Sequence, residues 1–160
     1  MSSIIEKILK GFLGDKNKKD VKELQKYAAR ALEAEKTIET LSDDELRAKT
    51  VEFKEKLAEA TKSQMQEIEE LKKKANEIEN VDEKEDIYNK IDEINKAAYE
   101  IEEKILDEIL PEAFAVVKET AKRFSNNPEI KVTASPFDRE LSATKNYVEL
   151  VDETHAVWKN

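Results

Sequence analysis

The chain has 160 residues, of which 41% are charged and 39% hydrophobic, with a net charge of −9. That length suits one ordinary domain, and the balance favours long solvated helices over a thick core. With no cysteine, two glycines and one histidine, disulfide frameworks, thiolate metal sites and glycine-rich phosphate loops are excluded or starved of residues.

The charge is unevenly spread. Residues 1–30 carry eight basic and four acidic side chains, while residues 31–109 carry 13 basic and 25 acidic ones. A nucleic-acid binder shows a basic face along much of its length, so no nucleic-acid partner is expected.

Residues 3–13 read as a short amphipathic helix. Ile4, Ile5, Ile8, Leu9, Phe12 and Leu13 recur at helical spacing, with Lys7 and Lys10 between them, and Gly14 is a natural stop. No apolar run approaches the ~20 residues of a membrane span. An apolar face with lysines nevertheless suits either a membrane surface or docking on the chain's own core. A second helix is predicted from about Asp20 to Thr40, with Val21, Leu24, Tyr27, Ala28, Ala31 and Leu32 on one side.

The stretch "LSDDELRAKTVEFKEKL" opens a third helix, with Ser42 and Glu45 spaced as a capping box. From Met65 the pattern tightens to heptads. Ile68, Leu71, Ala75 and Ile78 form one seam; Ile87, Ile91, Ile94, Ala98, Ile101 and Ile105 form another. Between them Asp82, with Glu85 three residues on, is placed to cap a new helix. The spacing predicts two antiparallel helices joined near residues 80–82, a coiled-coil-like hairpin, with one continuous helix as the alternative. Exposed seams of this kind are also able to pair between chains, giving a possible homodimer. The acidic surface of 31–109 reads as a solvated helical face with Glu–Lys pairs, or as a seat for a basic partner.

Pro111 suits the first turn of a further helix, "LPEAFAVVKETAKRF", which places Phe114, Val117, Ala121 and Phe124 on one stripe. This helix should end before Pro128. The period then changes to two. "EIKVTAS", "NYVELV" and "THAVWKN" read as strands, with residues 152–154 turning the last two into a β-hairpin. A strand pair with so little to pack on suggests a piece of something larger, and Trp158 is expected to find its partner outside the chain. The expected class is mainly α, with a long antiparallel helical hairpin and a small C-terminal β segment. Its expected divisions are 1–40, 41–109 and 110–160.

Catalytic constellations are scarce. A Ser-His-Asp triad or a carboxylate-bridged metal pair would each have to use His155, which lies in the strand region, and Ser135 and Ser142 show no nucleophile elbow. No catalytic, cofactor-binding or metal-binding residue is assigned, and no cofactor is expected on this stretch.

Two blocks, "LSDDELRAKTVEFKEKL" and "ILPEAFAVVKETAKR", together resemble the start of SecA, the ATPase motor family of the bacterial preprotein translocase. The opening helix, glycine and basic stretch resemble that family's N-terminus too. In many members the two blocks lie closer together, so the heptad hairpin is an insertion, and residues 129–160 resemble an insertion of some lineages. The resemblance implies a motor using ATP and Mg²⁺ to drive preproteins through the SecYEG channel, cytoplasmic and peripherally attached to the inner membrane. The family's nucleotide motifs follow this region, so the 160 residues alone are expected to be inactive. It implies membrane or channel contact, including acidic phospholipid, at Ile4, Ile5, Lys7, Ile8, Leu9, Lys10 and Phe12. It implies packing to the motor domain at Phe114, Val117, Ala121 and Phe124. The rival reading is a stand-alone coiled-coil adaptor with no enzyme attached.

Overall fold

The computed structural model describes the backbone of residues 2–160 and the side chains of residues 19–160. The elements in chain order are α1 (Ser2–Ile38), α2 (Asp43–Glu77), α3 (Val81–Asn126), β1 (Glu129–Thr133), α4 (Pro136–Ser142), β2 (Val148–Leu150) and β3 (His155–Lys159). They divide into two compact units. One comprises Met1–Ser42 with Leu110–Asn160, the other Asp43–Ile109. The chain is thus mainly helical with a small C-terminal sheet, as its periodicities predict.

The 43–109 unit is the helical hairpin. Ile68, Ala75, Ile87 and Ile91 are its buried centre, with Leu71, Ile78 and Ile94 packed around them. Residues from both heptad seams therefore cover each other within one chain, and the bare seams imagined for pairing between chains are closed at these positions. Salt bridges Lys56–Glu108 (3.0 Å) and Lys90–Glu67 (2.8 Å) bridge the two helices in antiparallel order. Both are well exposed, so each contributes at most ~1 kcal/mol and the buried isoleucines dominate. The turn differs from expectation in its cap. Asn80, not Asp82, closes the start of α3: its Oδ1 accepts from the Asp82 amide at 3.0 Å, and its Nδ2 donates to Glu83 at 3.3 Å. The helix starts one residue before Asp82 because an Asn side chain captures the second free amide as well as an Asp does.

Two further expectations are corrected. Residues Ser2–Ile38 form one helix rather than two, with no stop at Gly14. A glycine inside a helix costs about 1 kcal/mol relative to alanine, and good helix formers on both sides absorb that cost. Likewise Pro111 does not start a helix; it lies inside α3. Its missing amide forgoes the bond to the carbonyl of residue 107, at a cost of ~3 kcal/mol. The ring is buried, and long helical stretches on either side hold the turn in register.

In the other unit, the chain after α3 folds into a sheet of order β1-β3-β2, antiparallel throughout. Ile130 faces Trp158 and Val132 faces Ala156 on one side of β3; Val148 and Leu150 face the same two residues on the other. The alternation puts all six on one face. Val132, Val148 and Ala156 are its buried core, flanked by Ala134 and Leu141. The β2–β3 hairpin thus gains a third strand and a helix to pack on. Asp152 makes the turn by accepting from the amides of Thr154 (2.7 Å) and His155 (2.8 Å). The Thr154 hydroxyl and amide, with His155, hold its carboxyl well below the usual carboxylate range.

Helix α4 lies between two segments read as strands, in a stretch to which periodicity assigned no element. Its signal is "SPFD": Ser135 accepts from the Asp138 amide (3.2 Å), and the Asp138 carboxylate returns to the Ser135 amide (2.8 Å). With Pro136 in the first turn, this is a complete capping box.

Candidate interaction surface

The part of α3 after residue 110 has two opposite faces, both set by helical spacing. Ala115, Val116 and Glu119 are buried. Leu110, Phe114, Val117 and Ala121, spaced four, three and four residues apart, point outward. Phe114 is 58% exposed and Val117 67%. Large apolar side chains at consecutive helical positions in water form a patch of the kind that marks an interface. Phe124, grouped with them by spacing, is half-buried.

The inner face fixes this helix against the end of α1. Glu119 is 4% exposed, and its Oε1 accepts from Arg123 Nε at 2.9 Å. Arg123 Nη2 then donates to the Leu41 carbonyl at 2.6 Å. Glu119 Oε2 has no hydrogen bond, but the Lys122 ammonium lies 3.2 Å away. The Arg123 bond holds the Glu119 carboxyl below its usual range against the opposing effect of burial. Lys122 is held above the usual lysine range, first by the Glu119 carboxylate beside it. At the rim, Lys118 pairs with Glu35 (2.6 Å) and Lys122 with Glu39 (3.8 Å). Both pairs advance four residues on each helix, so α1 and α3 run parallel here.

Helical spacing groups Phe114, Val117, Ala121 and Phe124 on one stripe, and the first three share the exposed face. Sequence reasoning missed Glu119 and Arg123, although their i,i+4 spacing was a signal available in the sequence. It did not foresee that α1 also leaves Val21, Leu24 and Leu32 exposed. The side chains of Ile4, Ile5, Lys7, Ile8, Leu9, Lys10 and Phe12 lie outside the described residues.

Trp158 is held within the chain rather than beyond it. Its Nε1 donates to Asp138 Oδ1 at 3.0 Å, and its ring lies 6.4 Å from that of Phe137 and 6.1 Å from that of Tyr147. Ser135 caps α4, and His155 Nδ1 lies 3.0 Å from Asp152 Oδ1. The Ser142 hydroxyl donates to the Arg139 carbonyl at 2.9 Å, so both serines considered for a triad, and the histidine, are engaged in local hydrogen bonds of their own. Among the described residues no group of three His, Asp or Glu side chains is placed to hold a metal, and no helix is long and apolar enough to cross a membrane. Both glycines fall within α1, where backbone amides are committed to the helix rather than turned toward a phosphate.

Comparison with known proteins places these features in context. The profile described as SecA DEAD-like domain matches residues 9–145. The chain is 55% identical over 158 residues to the protein translocase subunit SecA of Christiangramia forsetii, covering 99% of the chain and 14% of that relative. It is 54% identical over the same length to the subunit of Flavobacterium psychrophilum, with the same coverage. To that of Phocaeicola vulgatus it is 43% identical over 148 residues, covering 92% of the chain and 13% of the relative. The first two alignments run through the hairpin as well as the flanking blocks, so these relatives carry it too. The chain spans 14% of the length of the first two relatives. No solved structure matches it.

Proposed function

The chain belongs to the SecA DEAD-like domain family, and on that premise we propose that it serves as the N-terminal part of a SecA-type motor subunit. The observation that carries this reading is the bare stripe of Phe114, Val117 and Ala121 on a helix whose other face is fastened to α1. Burying a phenylalanine side chain is worth ~1.5–3 kcal/mol. The stripe is the seat on which the remaining part of such a subunit packs, and the paired charges at Lys118 and Lys122 frame it.

In this reading ATP hydrolysis, Mg²⁺ binding and preprotein handling belong to the remaining part, and the 160 residues contribute scaffold and contact. The first helical turns, with Ile4, Ile5, Lys7, Ile8, Leu9, Lys10 and Phe12, meet acidic phospholipid and the SecYEG channel at the inner membrane. The 41–57 and 109–123 blocks support the carry-over of these roles.

The test is a split subunit. The chain and the following part of a close relative, produced separately and mixed, should associate and elute together. Phe114→Asp with Val117→Asp should abolish that association. Undiminished association of the double variant would overturn the assignment of the seat.

A further inference from the structure

We draw no further inference here: the strongest candidate, the aromatic patch of Phe137, Tyr147 and Trp158 on the α4 side of the small sheet, carries nothing because no feature of the structure shows what covers it.

Discussion

Arg123, on α3, donates from Nη2 to the main-chain carbonyl of Leu41 at 2.6 Å. One guanidinium thereby serves a carbonyl left over where the chain departs from α1, and with its Nε it neutralises the buried Glu119 carboxylate. It ties together two points 82 residues apart in sequence.

Arg123→Ala should destabilise the chain by about 3 kcal/mol, because it leaves Glu119 buried without its main counter-charge. Urea unfolding followed by circular dichroism measures this. Glu119→Leu combined with Arg123→Leu should cost less than Arg123→Ala alone, since no buried charge remains. A larger loss in the double variant would show that the pair contributes more than the mutual cancellation of two buried charges.

The same pair sets a pH dependence. Glu119 has a folded-state pKa below its unfolded value of about 4.5. The stability it contributes is therefore fully present above that value and is lost as pH falls below it, through the folded pKa. Between pH 7 and 3 the midpoint of unfolding should fall more steeply for the wild type than for the double leucine variant.

Asp138 is fully buried and binds Ser135 and Trp158 at once. Asp138→Ala should release the only tryptophan of the chain, shifting its emission to longer wavelength and raising its quenching by acrylamide. The loss of the helix cap and of the indole's acceptor should lower stability by ~2 kcal/mol. Unchanged emission would show that ring contacts with Phe137 and Tyr147 alone hold the indole.

Phe114→Ser and Val117→Ser should leave the isolated chain's stability within ~0.5 kcal/mol of wild type, because neither side chain is packed. They should reduce binding of the dye ANS, which reports exposed apolar surface. A melting point lowered by several degrees would place these residues in the chain's own core.

At the other end, the chain should bind vesicles containing anionic lipid, and binding should weaken as salt rises, by screening of the lysines. Removing residues 1–13 should reduce binding at least tenfold in a flotation assay. Equal binding without them would assign those residues to packing.

Much of this architecture is legible from local pattern alone. The seams through Ile68 and Ile91 specify the hairpin because a 4-3 repeat has one dry face, and any helix that bears it must bury that face. The strand segments around Val132, Val148 and Ala156 announce themselves by alternation. The outer stripe of Phe114, Val117 and Ala121 follows from helical spacing. The SPFD signal for α4 was equally local, but it was masked by the alternating segments on either side.

What only the tertiary structure decided depends on partners distant in sequence. Pro111 would start a helix in isolation; buried, and with ordered helix on both sides, it is carried inside one. Spacing groups Phe114 and Phe124 as equals, yet one is exposed and the other half-buried, because only contacts made by the folded chain distinguish them. Trp158 gives no sign in its own segment that Asp138, 20 residues earlier, will receive its indole proton. Arg123 likewise gives no sign of Leu41. Periodicity determines which face of an element must leave water; three-dimensional proximity determines which group meets it there.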